Sequence, residues 1–345
     1  MPSHSFPTNT NLTMDAPIIF CHYSNSDYLP HIFEAVRASN PDKRVILLGD
    51  KSNRRIAKAH GIEHVLFSDY EFGGELETFN RVYQLVQGSK RTKASKAHWI
   101  NFVFKRWFYV YNFLKQNDID SFWHFDTDTT ILSPLSQHET KFESYDCTEQ
   151  CNGSCLNGFI SKRETVGDYL NKINNLFEDT QFLEAQQNEF DTIHHNFAFT
   201  EMRAYEEFKK EGINSIRLNT ILDGSTFDDC ITQCHEMEME SLPTGKKIKK
   251  IFMSEDGRCY CYNNTIGAMT AMNTLNLSRM PLELYVIILK HLKTYDPGHK
   301  TATDRIRSME TLSETYCRIH PLKSRIERTK RALKDKKEQK KSASA

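Results

Sequence analysis

Apolar positions along the chain fall into two alternating patterns. PIIFCHY (17–23) is short, apolar and unbroken, as in a strand buried on both faces. DYLPHIFEAVRAS (27–39) repeats its apolar residues about every 3.6 positions, with Asp27 at its opening and Pro30 in the first turn, and predicts a helix. NPDK turns the chain, and RVILLGD (44–50) predicts a second strand. SNRRIAKAHG predicts a helix stopping at Gly61, and IEHVLF a third strand. The order β-α-β-α-β belongs to a parallel, doubly wound sheet. Such sheets bind ligands at the carboxyl ends of their strands, where HYSNSDY and GDKSN lie here.

Residues 70–98 are polar and loop-like. WINFVFKRWFYVYNFLKQND (99–118) predicts a strongly aromatic helix whose stripe is core. SFWHFDTDTTIL (121–132) predicts one central strand running into a turn at Ser133-Pro134. A further strand and helix follow in CLNGFISKRETVGDYLNKINNLF. EFDTIHHNFAFTEMRAYEEFKKEG reads as helical up to Gly212, and INSIRLNTILDG as a strand or two. KKIKKIFMSEDGRCYCYNN predicts a hairpin turning at Glu255-Asp256-Gly257, and SRMPLELYVIILKHLK a helix. Residues 303–341 predict one or two basic helices. The expected organisation is a disordered polar segment 1–15, one α/β domain over 16–300, and a basic helical tail over 301–345.

Charge refines this division. Lys+Arg and Asp+Glu are both 45, so the net charge is zero. From Arg318 to Ala345, however, there are eleven Lys/Arg and three Asp/Glu, a local net of +8 against −8 for the rest. A basic run at a terminus predicts at most weak contact with an anionic membrane surface; no nucleic-acid partner is expected. No apolar run reaches the roughly 20 residues of a membrane span, and the first residues lack the pattern of a signal peptide. Nine cysteines without an export signal predict reduced thiols and a cytoplasmic location. The spacings among Cys147, Cys151, Cys155, Cys230 and Cys234 lack the two-residue gap usual in zinc sites.

The chemistry concentrates at Asp126 and Asp128. Two residues apart on a strand, they would share a face. A largely apolar approach buries the strand and leaves its end at solvent. Carboxylates held so close repel, and one is pushed toward protonation unless a cation intervenes. A hard divalent ion, Mn²⁺ or Mg²⁺, meets that need and bridges phosphate oxygens as well.

Four segments together resemble a GT-A-fold glycosyltransferase of the small polysaccharide-type group. They are PIIFCHYSNSDYLPHIFEAVRASNPDKRVILLGD, FVFKRWFYVYNFLKQNDIDSFWHFDTDTTIL with its DxD unit, CLNGFISKRETVGDYL, and NEFDTIHHNF, spanning about residues 17–275. The resemblance implies a Rossmann-type mixed sheet flanked by helices, with a C-terminal helical extension. It implies a metal-dependent transfer of sugar from a nucleotide-diphosphate sugar to a glycan or other hydroxyl acceptor. In it, Asp126, Thr127 and Asp128 hold the metal and the donor's ribose or diphosphate. Cys21, His22, Tyr23, Ser24 and Asp50 contact the nucleoside, Tyr23 by stacking. Arg106 contacts the donor or orients the DxD loop, and Asn157-Gly158 lets substrate approach the backbone. Asp191 is an acceptor contact or general base, or else a helix cap. Where such enzymes supply a late metal-binding histidine, this chain has Asn276, a poorer ligand.

Two other readings use the same residues. Asp126-x-Asp128-x-Thr130 also fits the first motif of haloacid-dehalogenase-type phosphatases, with Asp126 as nucleophile. That motif belongs on a first strand, and Asp228-Asp229 and Lys246 stand in the wrong order for it. The other reading, motivated by Asn276, is a glycosyltransferase fold that binds without catalysing.

Overall fold

The computed structural model describes residues 16–90, 94–296, 298–299 and 301–342, so the expected disordered segment 1–15 lies outside the described residues. The chain opens with β1 (Ile18–His22), α1 (Leu29–Ser39), β2 (Val45–Gly49), α2 (Arg54–Ala59) and β3 (Glu63–Leu66). The three strands pair in parallel, Ile18 beside Val45 and Ile46 beside Glu63. Ile18 and Phe20 of β1, with Val45 and Leu47 of β2, enter one core. Ile19, Cys21, Ile46 and Leu48 enter the other, on the opposite face. Cores on both faces are why these strands read as unbroken apolar runs rather than alternating ones.

Next come α3 (Gly74–Val82), α4 (Ala94–Gln116), β4 (Phe122–His124), β5 (Thr129–Ile131), α5 (Glu139–Phe142), β6 (Cys147–Gln150), β7 (Cys155–Ile160), α6 (Arg163–Glu178), α7 (Thr180–Thr192), α8 (Glu201–Lys209) and β8 (Ser215–Arg217). The main sheet has seven strands in the order β3-β2-β1-β4-β7-β6-β8. β4 continues the parallel set beside β1, whereas β7 runs antiparallel to both β4 and β6. Helices α3, α4, α6 and α8 cover one face through Phe79, Phe104, Phe108, Tyr169 and Tyr205. The expected class, an α/β fold with a mixed and mostly parallel sheet flanked by helices, is the observed one.

The other face is covered by α1 and by the C-terminal part of the chain. That part contains β9 (Ser225–Thr226), β10 (Met239–Ser241), β11 (Lys247–Lys249), β12 (Phe252–Met253), β13 (Cys259–Asn263), β14 (Ala268–Met272), β15 (Thr274–Asn276), α9 (Leu282–Leu292), α10 (Thr303–Ile306), α11 (Leu312–Ile319) and α12 (Pro321–Ser342). β12-β13-β14-β9 form a second sheet, in which β12 and β13 are the expected hairpin.

Several local expectations change. Residues 70–98 are not all loop: Leu76 and Phe79, three apart, bury the inner face of α3. SFWHFDTDTTIL is two strands, because the chain turns at Asp126–Thr129 and β5 pairs with β15 in a ribbon of its own. The helix expected through residues 189–212 breaks between α7 and α8, where His195 and Phe197 accept backbone hydrogen bonds from Lys90 and Gly88. The body does not end at residue 300: Ile306, Leu312 and Tyr316 are in the core, so only α12 extends from it as a tail. Among the described residues, no helix is long and apolar enough to cross a membrane.

Candidate active site

Parallel neighbours β1 and β4 deliver their following loops to the same rim of the sheet. Between these loops and one face of α4 lies a cleft of about 520 Å³. Its lining includes His22, Tyr23 and Ser24 after β1, and Asp126, Thr127 and Asp128 after β4. Trp99, Phe102, Val103 and Arg106 line it from α4, Glu201 from the first turn of α8, and Ser278 and Arg279 from beyond β15.

Arg106 organises one side. It is buried, yet its guanidinium holds Asp126 at 2.6 Å and Glu201 at 3.3 Å. Burial alone would lower its pKa, but the two carboxylates raise it, so the cation is fixed. Burial likewise raises Asp126, and Arg106 and hydrogen bonds outweigh it, leaving Asp126 more acidic than usual. Asp126 is walled in by these groups but keeps 37 % of its side-chain surface open. His124 beneath it is pushed down to about 3 by burial and by Arg106, so it is neutral.

Asp128 has no such cation. Burial and the charge of Asp126 lift its pKa to about 6. Its carboxylate accepts a hydrogen bond at 3.2 Å from the Asn276 amide nitrogen. The same nitrogen reaches Thr129 Oγ1 at 3.2 Å, and the Asn276 amide oxygen accepts from the Ser278 backbone N–H at 3.1 Å. These partners fix which way the amide points. Asn276 therefore stands beside Asp128, as the sequence suggests, but offers it a donor and commits its oxygen elsewhere; in this arrangement it is not a metal ligand.

On the other wall, Ser24 adopts a left-handed φ of 57°, and its N–H donates to Asp50 at 2.6 Å. Asp50 also accepts from the Ser52 N–H at 2.7 Å, so this carboxylate shapes the loop rather than lining the cleft. Burial drives His22 down to about 4, and the neutral ring ties the two loops together, 2.8 Å from Thr127 Oγ1 and 3.2 Å from Ser26 Oγ. Cys21 lines the cleft, but burial pushes its thiol up to about 12, which makes it unreactive. Tyr23 packs edge-on against Phe102, their centroids 4.7 Å apart.

Besides Asp50, three further expected site residues do not line the cleft. Asn157 is buried behind Asp126 and hydrogen-bonds to it. Gly158 (φ 91°) leaves room for Thr148 and Leu218, not for a substrate. Asp191 is neither in the cleft nor at a helix start; it is exposed near the end of α7 and accepts from Gln187 at 2.9 Å.

Can this site hold a divalent ion? Among the described residues there is no group of three or more His, Cys, Asp or Glu placed to do so. Hard ions such as Mg²⁺, however, are commonly held by one or two carboxylates plus phosphate oxygens and water. Asp126 and Asp128 fit that partial set, and Asp128 is the carboxylate left without a counter-charge. The phosphatase reading fits less well. β4 adjoins the antiparallel β7 rather than an all-parallel set. Lys246 donates to the Arg279 carbonyl, while Asp228 is buried and paired with Lys249.

No protein-family model matches the sequence, and no curated protein matches it. Among solved structures, the chain is similar to one described as PaToxG glycosyltransferase, at a TM-score of 0.34 and 9 % identity over 57 % of this chain and 71 % of that one. It is also similar to the glycosyltransferase GlyE of Streptococcus pneumoniae TIGR4, at 0.30 and 12 %, over 59 % and 45 %. Likeness of this degree leaves the activity to be argued from the cleft.

Sequence reasoning missed Trp99, Phe102, Val103, Glu201, Ser278 and Arg279 as lining residues. For α4 the signal was present: positions 99, 102, 103 and 106 follow i, i+3, i+4, i+7 and so share one face. For Glu201 and Arg279, nothing local distinguishes them from surface charges.

Proposed function

We propose that this protein is a glycosyltransferase that moves a sugar from a nucleotide-diphosphate sugar to a glycan or other hydroxyl acceptor. The observation that supports it is the placement of Asp126 and Asp128 together in a cleft walled by Tyr23, Trp99 and Phe102. Paired carboxylates suit a metal–diphosphate, and aromatic rings suit a nucleobase. The two stand side by side at the carboxyl end of a parallel sheet, where such folds bind ligands.

Each group has a task in this reading. Tyr23, Trp99 and Phe102 offer the base a stacking surface. Asp126 and Asp128 hold Mn²⁺ or Mg²⁺, which when bound neutralises the charge growing on the departing diphosphate. Arg106, itself anchored by Glu201, fixes the Asp126 carboxylate in place. Asn276 does the same for Asp128 through its amide N–H. Arg279, exposed at the rim, supplies a cation to the phosphates.

The test is a calorimetric titration of the full chain with uridine, guanosine, cytidine and adenosine diphosphates and their sugars, with and without Mn²⁺ or Mg²⁺. At least one nucleotide should bind only with the ion, and its sugar should be hydrolysed slowly or transferred. Asp126→Asn and Asp128→Asn should each abolish the ion-dependent binding while leaving the melting transition in place. If no nucleotide binds with either ion, or if both variants bind as the parent does, the proposal fails.

A further inference from the structure

Helix α12 is amphipathic, but it is packed the wrong way round. Leu322, Ile326, Thr329 and Leu333 recur at i, i+4, i+7 and i+11 and so form a single stripe along the helix. A packed helix normally buries such a stripe. Here Leu322 is 76 % exposed, Ile326 54 % and Leu333 57 %. The opposite, polar side meets the protein. Ser324 is buried, Glu327 accepts from Tyr316 at 3.2 Å, and Arg328 reaches the Cys317 sulfur at 3.2 Å. The Arg331 side chain crosses Gly245 so closely that a Cβ there would lie 2.7 Å from its Nε. Arg325, Lys330 and Lys336 flank the apolar stripe and are exposed. The body therefore presents the apolar stripe outward, edged with positive charge.

What could cover this face follows from its chemistry. A second copy of the helix would match the leucines but bring two strongly basic flanks together. A nucleic acid would match the flanks but leave Leu322, Ile326 and Leu333 in water. An anionic lipid surface matches both, because apolar side chains enter the boundary between headgroups and acyl chains while Lys and Arg stems reach up to the phosphates. We propose that α12 is an in-plane docking helix for an anionic phospholipid bilayer, with Leu322, Ile326 and Leu333 as the inserting residues. The polar contacts to α11 and the close approach of Arg331 to Gly245 keep the polar side of α12 on the body, so the apolar stripe is the side left to face the lipid.

Co-sedimentation of the full chain with vesicles tests this. The protein should pellet with phosphatidylserine-containing vesicles, stay in solution with pure phosphatidylcholine, and be released by high salt. Ile326→Glu/Leu333→Glu should weaken vesicle binding by about tenfold or more, and Arg325→Glu/Lys330→Glu/Lys336→Glu by a similar factor. All these side chains are exposed, so melting curves should match the parent. Absence of binding to anionic vesicles at low salt would overturn the proposal. So would unchanged binding by the Ile326→Glu/Leu333→Glu variant, a wild-type dimer that the same variant dissolves, or tighter binding to duplex DNA than to vesicles.

Discussion

Asp126 and Asp128 share a cleft but are displaced in opposite directions from ordinary acidity: Arg106 draws Asp126 down, whereas burial and the charge of Asp126 push Asp128 up. Arg106 compensates Asp126; no cation compensates Asp128, and its hydrogen bonds only partly offset the rise, so its pKa stands at about 6 rather than 3.8. Between those values the native chain keeps a proton that the unfolded chain has released. Stability therefore falls as pH rises through this window, and the deficit is complete above the folded-state value. Two pKa units set a ceiling of about 3 kcal/mol; Asp128 keeps partial solvent contact, so about 1–2 kcal/mol is expected. Asp128→Asn should thus stabilise the metal-free protein by about that amount near neutral pH, and by almost nothing near pH 4. Urea denaturation in chelator at both pH values measures it. A variant less stable than the parent at neutral pH would show that the Asp128 charge is not a strain on the fold. The group that serves the proposed metal is, on this argument, one that weakens the empty protein, as expected of sites arranged for ligand binding rather than stability.

At the scale of elements, β7 depends on Gly158. Its φ of 91° is open to glycine, and a Cβ would also sit 2.7 Å from Leu218 and collide with Thr148. Thr148 Oγ1 donates to the Asn157 carbonyl at 2.6 Å and accepts from the Phe159 N–H at 2.8 Å, so it has no room to move. Backbone strain and overpacking together predict a loss of about 3–5 kcal/mol for Gly158→Ala. A midpoint shift in guanidinium denaturation would report it; a change under about 1 kcal/mol would mean that β7 repacks. The sequence marks Gly158 as special but points to the wrong neighbour, because the packing of Leu218 on it is invisible from position 158. The same limit explains the other misses. β1, α1, β2, α2 and β3 were legible because each is set by local periodicity and parallel pairing with near neighbours. The end of β4 was not: the turn after it is held by β15, with Asn276 bonded to Thr129 from 147 positions away. Asp126 and Asp128 were found from their spacing, although they occupy a turn rather than one face of a strand. Asp191 was misplaced because its motif is short, and the α7–α8 break is fixed by contacts with residues 86–90.

For the whole molecule, the question is where the folded body ends. The hydrophobic pattern places the border near residue 300, since the apolar helix SRMPLELYVIILKHLK ends before it and the helices expected after it are polar. Packing places it at His320. Leu312 is fully buried, Tyr316 and Ile306 nearly so, and the Leu312 N–H donates to the Ile251 carbonyl at 2.8 Å. Losing each of these side chains costs about 2–5 kcal/mol, and together they approach the 5–15 kcal/mol that holds a typical domain folded. α12 differs: among its described side chains Ser324 is buried, and its other ties are polar, such as Tyr316 to Glu327 at 3.2 Å. Surface contacts of this kind are worth about 1 kcal/mol or less each. Removing residues 321–345 should therefore lower the melting temperature by only a few degrees and leave nucleotide binding within about twofold of the parent, while abolishing attachment to anionic vesicles. Removing residues 301–345 should leave a chain that does not give a cooperative transition at all. Circular-dichroism melts of both truncations, each paired with a nucleotide titration, separate the cases. A shorter truncation that unfolds would make α12 part of the body, and a longer one that melts cooperatively would return the border to residue 300.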